Sequence, residues 1–420
     1  METLRISTAG NVNDGKSTLI GRLLYELGAV KSDKLKAIFE VSQNMGFKGM
    51  DYSLLADGLM EERENSITID VAHLFFSTGT KNYILADSPG HIEYTRNMIT
   101  GCSNAHVFII LIDVQKGIAD QTYLHAYIAS MLRIPKVVVC VNKLDTVDFK
   151  QTAFDEIQQL FFEYIQKLDF VPEIECIPIS ALYGDNVVKH SPKTPWYKGH
   201  TLIQTLETHQ VVQAKLPLRF RIQHIINHKQ KNTSYYLGKV VSGRVYKSLP
   251  VIALPSGEQS TIGQIYKGEK TLEQAGASES VGFTLATPLE LKRGCLLVQE
   301  DLVPILSKQI RAEICWFDEV PGKDGGAYLL KHGMNTVPSR LVLLNGKKNM
   351  VSLKHAFKQS EIHNNEMCSV LVHTEIALPF ECFSENKANG CFVLIDKHSN
   401  ATVAVGIIQA INHQLEELTK

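Results

Sequence analysis

One stretch decides the fold of this chain: Gly10-Asn11-Val12-Asn13-Asp14-Gly15-Lys16-Ser17, followed by Thr18. It has the form G-x-x-x-x-G-K-S of a phosphate-binding loop. A short alternating apolar run precedes it, and apolar residues at helical spacing follow it (Leu19, Ile20, Leu23, Leu24 and Leu27). A loop between a strand and a helix holds phosphate with backbone N–H groups, the helix N-terminus and the lysine charge. Residues 10–18 are therefore candidate phosphate contacts, and the Ser17 hydroxyl is a candidate Mg²⁺ ligand.

The composition is that of an ordinary globular protein with two or three domains. The chain has 420 residues, of which 44% are hydrophobic, and no apolar run is as long as a membrane span. The N-terminus shows no signal-peptide pattern. Eight cysteines include no C-x-x-C pair and no Cys/His cluster at zinc spacing, which favours reduced structural thiols. We therefore expect a cytoplasmic protein, and the formal charge of −1 gives no indication of nucleic-acid binding.

The first half of the chain alternates strand and helix patterns, which predicts an α/β domain. The expected strands are Leu4–Thr8, Ile67–Phe76, Tyr83–Ala86, His106–Asp113, Lys136–Val141 and Ile174–Ile179. The expected helices are Ser17–Leu27, Gln121–Leu132, Thr152–Leu168 and a last one near Leu202–His209. Near-continuous apolar strands, such as the fourth and fifth, are typical of a parallel sheet covered on both faces. Residues 1–213 are thus predicted to form a doubly wound, mostly parallel P-loop domain.

The pattern changes after about residue 214, where short strand-like runs follow one another between Gly, Pro and Ser turns. Such runs without long helical patterns predict small antiparallel β-barrels. The first set is Leu218–Ile226, Leu237–Val245, Val251–Leu254, Thr261–Tyr266, Phe283–Leu285 and Cys295–Val298. The second set lies between Gln309 and Ile408 and includes Tyr328–Leu330, Ser339–Leu344, Cys368–Thr374 and Phe392–Ile395. We predict barrel domains at residues 214–304 and 305–420, with their boundary near Val303–Ser307.

A second motif, Asp87-Ser88-Pro89-Gly90, follows the third expected strand. A D-x-x-G is often a plain turn, but at a strand's carboxyl end after a phosphate loop it predicts a γ-phosphate sensor. Asp87 would hold Mg²⁺ through water, and the Gly90 N–H would contact the γ-phosphate. His91 lies where a GTPase positions its attacking water, so it is the candidate catalytic residue.

Asn142-Lys143-Leu144-Asp145 ends the fifth expected strand and has the N-K-x-D form that reads guanine. The Asp145 carboxylate would accept from the ring N1–H and the exocyclic amine, which adenine does not present together. Asn142 would bridge to the phosphate loop, and the stem of Lys143 would cover the base. Ser180-Ala181-Leu182 follows the sixth strand and would supply a backbone N–H to O6. Together these motifs predict GTP as the ligand.

Ile67-Thr68-Ile69-Asp70 follows the charged segment Glu61-Glu62-Arg63-Glu64. A threonine here can complete Mg²⁺ coordination only when the γ-phosphate is present, which would give a two-state loop. The same β-branched residues also favour a strand, and the two interpretations are compatible. Ser17, Thr68 and Asp87 are thus the candidate Mg²⁺ ligands.

The order of these motifs, followed by two β-barrels, resembles the translational GTPases of the elongation-factor type. Further stretches resemble one branch of them, the GTPase (large) subunit of bacterial sulfate adenylyltransferase, or ATP sulfurylase. These stretches are Asp51–Leu59, Ile69–Thr78, Tyr94–Met98, Gly184–Val188, Asn386–Asp396 and Asn400–Val403. The resemblance spans essentially the whole chain and is densest in the first domain.

That resemblance implies a heteromeric enzyme, in which this chain pairs with a small catalytic subunit as a heterodimer or a larger assembly. The small subunit would join sulfate to the AMP part of ATP and release pyrophosphate. GTP hydrolysis here would drive that uphill step through conformational coupling. The chain contains no H-x-G-H for adenylylation and no second phosphate loop for a fused adenylylsulfate kinase, so we expect neither activity in it. We expect no membrane partner, and no nucleic-acid partner.

The chain also departs from the family pattern at several positions. Asn13 replaces an aspartate, Asn65-Ser66 replace a Gln-Gly or Arg-Gly pair, and Ser88 replaces a threonine. Lys247-Ser248-Leu249-Pro250 stands where a Gly-Asp turn is usual. Loss of the glycine at position 66 would stiffen the switch loop. We expect these changes to affect hydrolysis and coupling more than GTP binding.

Two other functions fit a GTPase of this kind. An elongation-factor-like carrier would deliver aminoacyl-tRNA, but the branch-specific stretches and the absence of Lys/Arg runs in the barrels oppose it. A diverged regulatory paralogue would use its barrels only to hold a partner protein. Binding of charged tRNA would identify the carrier, whereas a neighbouring small adenylyltransferase gene would oppose the regulatory interpretation.

Overall fold

A computed structural model describes residues 2–46, 49–56, 72–87, 95–211, 215–228 and 233–411. The chain forms two compact units. The first comprises Met1–Val212 with Met350–Ser352, and the second comprises Gln213–Asn349 with Leu353–Lys420. None of the helices in the described ranges is both long and apolar enough to cross a membrane.

The first unit contains six strands and the helices between them in the described ranges. The strands are β1 (Glu2–Gly10), β2 (Ala72–Ser77), β3 (Lys81–Asp87), β4 (Val107–Asp113), β5 (Lys136–Asn142) and β6 (Glu173–Pro178). The helices are α1 (Lys16–Glu26), α2 (Ser32–Asn44), α3 (Ser53–Ala56), α4 (Thr95–Cys102), α5 (Asp120–Met131), α6 (Gln151–Ile165) and α7 (Leu202–Thr208), with a 3₁₀ turn at Leu144–Val147.

The six strands form one sheet in the order β2-β3-β1-β4-β5-β6, antiparallel only between β2 and β3. Every residue of β4 and β5 is buried, as expected for central parallel strands covered on both faces. Because parallel strands share a direction, the register brings the carboxyl ends of β1, β3, β4 and β5 to one edge. The P-loop α/β domain predicted from the sequence is confirmed.

Three helices were missed by the sequence prediction: α2, α3 and α4. Only Ile38 and Ser42 of α2 are buried, so this helix has a weak apolar stripe. Ile38 packs in a small cluster with Leu54 and Leu55 of α3 instead of joining the main core. The short helix α4 buries Met98. Such short or weakly amphipathic helices give little periodic signal.

The second unit contains the two sets of β-strands predicted from the sequence. The first set is β7 (Arg219–His228), β8 (Thr233–Ser242), β9 (Arg244–Tyr246), β10 (Pro250–Leu254), β11 (Gln259–Lys267), β12 (Lys270–Leu272), β13 (Gln274–Gly276), β14 (Ser280–Leu285) and β15 (Leu296–Gln299). Seven of these strands form one sheet in the order β10-β15-β7-β8-β14-β11-β12, and a further pairing of β10 with β11 closes it into a ring. The other two, β9 and β13, pair with each other. Phe220, Tyr236 and Phe283 are fully buried inside the ring.

The second set is β16 (Ile305–Trp316), β17 (Gly322–Lys323), β18 (Ala327–His332), β19 (Asn335–Leu343), β20 (Glu361–Ile362), β21 (Met367–Phe380), β22 (Cys391–Ile395) and β23 (Thr402–Ile411). Six of these strands form a closed barrel in the order β16-β21-β19-β18-β22-β23. Its core includes Trp316, Leu330, Val370 and Phe380. The predicted β-barrel architecture is confirmed.

Candidate functional site

The phosphate loop lies between β1 and α1, at the carboxyl edge of the sheet. The Asp14 carboxylate is buried and folds the loop on itself, because its Oδ2 accepts from the Asn11 N–H at 2.8 Å. The Lys116 ammonium, from the turn after β4, donates to the Val12 carbonyl at 2.8 Å and to Asp14 Oδ1 at 3.1 Å. Lys16 is buried at the start of α1, and its Nζ donates to the Gly10 carbonyl at 3.3 Å. These bonds fix the loop around its lysine.

Two residues of the loop adopt left-handed backbone conformations. Asn13 has φ of 65° and Gly15 has φ of 96°. Asparagine and aspartate both tolerate this region, so the Asp-to-Asn departure at position 13 keeps the loop conformation accessible. A Cβ at Gly15 would lie 2.5 Å from Nδ2 of Asn142, which leaves room for glycine alone.

Asp87 ends β3 beside the loop and is buried. The Thr8 hydroxyl of the neighbouring strand donates to Asp87 Oδ1 at 2.8 Å, which fixes the orientation of the carboxylate. Ser17 lies in the first turn of α1. A carboxylate and a hydroxyl are oxygen donors of the kind that Mg²⁺ prefers, so these residues fit a magnesium site.

Asn142, the last residue of β5, connects the phosphate loop to the segment after β6. Its Nδ2 donates to the Asp14 carbonyl at 2.7 Å, and its Oδ1 accepts from the Ala181 N–H at 2.9 Å. Since both side-chain groups are engaged, the amide holds the two loops at a fixed separation. Both bonds are buried, which strengthens them.

Asp145 lies in the 3₁₀ turn that follows β5, next to the segment Ser180–Leu182. The Ser180 hydroxyl donates to Asp145 Oδ1 at 2.6 Å. Lys143 has a left-handed backbone with φ of 63°, and its Nζ donates to Asp113 Oδ2 at 2.7 Å. Asp113 ends β4, so a carboxylate from the neighbouring strand fixes the extended lysine stem.

Hydrogen bonds thus bring together the phosphate loop, the Asn142–Asp145 turn and the Ser180–Leu182 segment. Asp87 lies at the same edge of the sheet because its strand pairs with β1. The remaining predicted site residues lie outside the described residues: Thr68, Ser88, Pro89, Gly90 and His91. Their roles stay predictions from the sequence.

The sequence analysis missed Thr8, Asp113 and Lys116. Thr8 lies near the carboxyl end of β1, Asp113 ends β4, and Lys116 follows β4, so all three belong to the edge that carries the motifs. That position could have identified them from the sequence, because polar residues at the carboxyl ends of parallel strands converge.

His125 of α5 was also missed. The side chain is buried, and the part of the chain that the structure describes gives its Nδ1 no hydrogen-bond partner. Burial, and to a lesser degree the nearby Lys16 charge, lower the pKa of His125 to about 3. The imidazole is therefore neutral at physiological pH and adds no positive charge beside the phosphate loop.

Two family models match the chain. Residues 1–217 match the elongation factor Tu GTP binding domain, and residues 309–409 match the GTP-eEF1A C-terminal domain-like family. Among solved structures, the Ski7 GTPase-like domain of S. cerevisiae, bound to GDP and inorganic phosphate, is similar with a TM-score of 0.53. The two sequences are 18% identical, and the match covers 97% of each chain. This likeness concerns the fold alone.

Relatives of higher identity cover nearly the full chain. Sulfate adenylyltransferase subunit 1 of Bacteroides thetaiotaomicron is 39% identical, over 97% of this chain and 86% of that protein. The protein of the same name from Bacteroides fragilis is 40% identical, over 97% of this chain and 86% of that protein. The bifunctional enzyme NodQ of Rhizobium sp. BR816 is 40% identical over 96% of this chain, which spans 64% of that enzyme.

Proposed function

The chain belongs to the family of sulfate adenylyltransferase subunit 1, and from this premise we propose that it hydrolyses GTP to drive sulfate activation on a partner subunit. It is an enzyme subunit with a GTPase domain of the elongation factor Tu type.

The observation that best supports guanine binding is the pair of hydrogen bonds made by the side-chain amide of Asn142. Its amide joins Asp14 of the phosphate loop to Ala181 of the segment after β6. Asp145 is fixed beside that segment by the Ser180 hydroxyl. A carboxylate fixed in this way accepts from N1–H and the exocyclic amine of guanine, and adenine would leave it unpaired at a cost of about 1–3 kcal/mol.

The groups around the phosphates have separate proposed roles. Lys16 and the backbone of residues 10–15 would neutralise the β- and γ-phosphates. Ser17, Thr68 and, through water, Asp87 would hold Mg²⁺, which neutralises charge on the transferred phosphoryl group when it is bound. His91 would orient the attacking water, and the Gly90 N–H would contact the γ-phosphate. The assignments of Thr68, Gly90 and His91 come from the sequence.

On the partner subunit, a sulfate oxygen would attack the α-phosphorus of ATP, and pyrophosphate would leave. The product, adenosine 5′-phosphosulfate, contains a mixed anhydride that forms uphill. GTP hydrolysis can drive this step only if the partner binds one nucleotide state of this chain more tightly than the other. The proposal therefore requires nucleotide-dependent binding between the two subunits.

The decisive experiment combines this chain with the small adenylyltransferase subunit from the same organism. Pyrophosphate release from ATP and sulfate should then depend on GTP. Omitting sulfate, or replacing Lys16 with Ala to abolish phosphate binding, should remove the GTP-dependent part. If GTP is hydrolysed without any effect on pyrophosphate release, the coupling function is wrong and a regulatory GTPase is favoured. Tight binding of charged tRNA would instead identify a carrier.

A further inference from the structure

Arg22 lies in α1, the helix that begins at the phosphate loop, yet its side chain points to the segment after β6. Its Nε donates to the Ala181 carbonyl at 3.3 Å, and its Nη2 donates to the Leu182 carbonyl. The side chain is only 12% exposed. One guanidinium thus contacts two consecutive carbonyls, a task that suits its planar set of donors.

Two neighbours fix the guanidinium in place. Its Cζ lies 3.8 Å from the centre of the Tyr52 ring, in a cation–π contact, and its Nη1 lies 3.6 Å from Glu26 Oε1. The main chain packs closely against both of these neighbours. A Cβ at Gly21 would lie 1.8 Å from the Tyr52 carbonyl oxygen, and a Cβ at Gly184 would lie 2.1 Å from Glu26 Oε1. Arg22 therefore has little freedom to leave the two carbonyls.

The peptide plane carries this constraint to the N–H groups of the segment. Because a peptide bond is planar, a fixed Ala181 carbonyl also fixes the direction of the Leu182 N–H. The preceding N–H, that of Ala181, donates to Asn142 Oδ1. Together, Asn142 and Arg22 determine the orientation of two consecutive peptide planes in the segment that would face the guanine O6.

We propose that Arg22 is a positioning residue that determines guanine specificity by holding the backbone of Ser180–Leu182 in the orientation that donates to O6. This inference rests on the proposed guanine site and extends it to a residue outside the nucleotide motifs. Arg22 acts through the backbone and not by contact with the base. Its loss should therefore weaken the O6 contact selectively.

The test compares GDP with 6-thio-GDP, which keeps the N1–H and the 2-amino group and replaces only O6 by sulfur. Diphosphates avoid hydrolysis during a calorimetric titration. Sulfur is a weak acceptor, so the wild-type chain should bind GDP more tightly than 6-thio-GDP. Arg22→Met should raise the Kd for GDP about tenfold, the usual effect of one lost hydrogen bond, and raise that for 6-thio-GDP less than about threefold. The ratio of the two Kd values should thus approach one.

Two further variants make the test independent of folding problems in Arg22→Met. Arg22→Lys keeps the charge but cannot hold two carbonyls in one plane, so it should also lower the ratio. Tyr52→Leu removes the ring beneath the guanidinium and should lower the ratio by a smaller factor. Arg133→Met is the matched control, because Arg133 also lies over a ring, that of Phe170 at 5.4 Å, but follows α5 at the opposite edge of the sheet. It should leave the ratio unchanged.

The outcomes separate this inference from the proposed function. If folded Arg22→Met and Arg22→Lys weaken GDP and 6-thio-GDP by the same factor, Arg22 only stabilises the domain and the inference is overturned. If the wild-type chain binds the two nucleotides equally, the O6 contact itself is wrong and the inference falls with it. A wild-type chain that binds no guanine nucleotide would contradict the proposed function as well.

Discussion

Asn142 shows how much of the site depends on single side chains. Its amide is shared between the Asp14 carbonyl and the Ala181 N–H, and a Cβ at Gly15 would collide with it. Asp145, the proposed base-reading residue, is held in a comparable way by the Ser180 hydroxyl at 2.6 Å. At the scale of the residue, hydrogen bonds within the protein orient the acceptors and donors that the proposed guanine site would use.

Replacing Asp145 with Asn should shift base preference from guanine to xanthine, because one acceptor becomes a donor. Affinity for GTP should fall by about 10- to 100-fold, and xanthosine triphosphate should become the better ligand. Competition against a fluorescent nucleotide measures both constants. Asp148→Asn, on the same turn, is the matched control and should change neither. Unchanged preference in Asp145→Asn would remove this residue from the base contact.

His125 should make the stability of the chain depend on pH. Its pKa is lowered by burial to about 3 in the folded chain, whereas an unfolded histidine titrates near 6.5. Between these values the unfolded state binds more protons, so stability should fall as the pH falls, by up to about 1.4 kcal/mol per pH unit. Above about pH 6.5 this contribution is fully present.

Urea unfolding from pH 4.5 to 7 tests this expectation. His125→Gln should show a weaker loss of stability with falling pH than the wild-type chain, because the buried imidazole is gone. His363→Gln is the control, since that side chain is exposed. If His125→Gln and wild type lose stability in parallel, the buried histidine does not contribute to acid sensitivity.

At the scale of the element, the turn after β4 holds the phosphate loop that follows β1. The Lys116 ammonium contacts both the Val12 carbonyl and the Asp14 carboxylate, although the two turns belong to different strands. Asp113, in the same region, fixes Lys143 of the turn after β5. The carboxyl edge of the sheet therefore acts as a connected set of loops and not as separate motifs.

Lys116→Met should loosen the phosphate loop without removing any motif residue. We expect GDP to dissociate several-fold faster, because one charge-assisted bond and one bond to a carbonyl are lost, which together contribute roughly 1 kcal/mol at this half-exposed site. Stopped-flow release of a fluorescent GDP analogue measures the rate. Lys150→Met, an exposed lysine before α6, should release GDP at the wild-type rate. If Lys116→Met releases GDP at the same rate as Lys150→Met, Lys116 does not restrain the loop.

At the scale of the whole molecule, the second unit is joined by a buried ion pair between its two barrels. Arg219 of β7 contacts Glu381, which follows β21, through Nε at 3.0 Å and Nη2 at 2.8 Å. Asn386 and Asn389 each donate a further bond to Glu381 Oε2, at 3.1 and 2.9 Å. Arg221 donates to Asn389 Oδ1 at 2.7 Å. The Asn386–Asp396 stretch, which carries part of the family resemblance, thus includes two residues of this network.

Removing one partner of the Arg219–Glu381 pair should lower the unfolding free energy of the second unit more than removing both partners. Glu381→Leu leaves a buried guanidinium unpaired and should lower the unfolding free energy of this unit by about 3–5 kcal/mol, whereas Arg219→Met with Glu381→Leu should cost less. Fluorescence of Trp316 in a Trp196→Phe background reports this unit, because the chain has two tryptophans. Lys267→Met is the control at an exposed pair and should cost no more than about 1 kcal/mol. A double variant as unstable as the single one would contradict the unpaired-charge argument.

Much of the fold was predictable from local patterns. The buried runs of β4 and β5 and the apolar stripe of α6 appear directly in the sequence, because burial on one or both faces sets their periodicity. Helix α2 was missed because its buried stripe is too narrow to produce that signal. Of the predicted site, the phosphate-loop and base-reading residues are brought together, whereas Thr68 and His91 lie outside the described residues.

The sequence by itself determined the class of nucleotide and the order of an α/β domain and two barrels, because motif chemistry and periodicity are local properties. The tertiary structure alone decided which side chains hold those motifs in place. Arg22 and Leu182 are 160 positions apart, and Arg219 and Glu381 are 162 apart. No local pattern pairs such residues, since their contact depends on strand order, register and the direction in which each helix returns to its sheet.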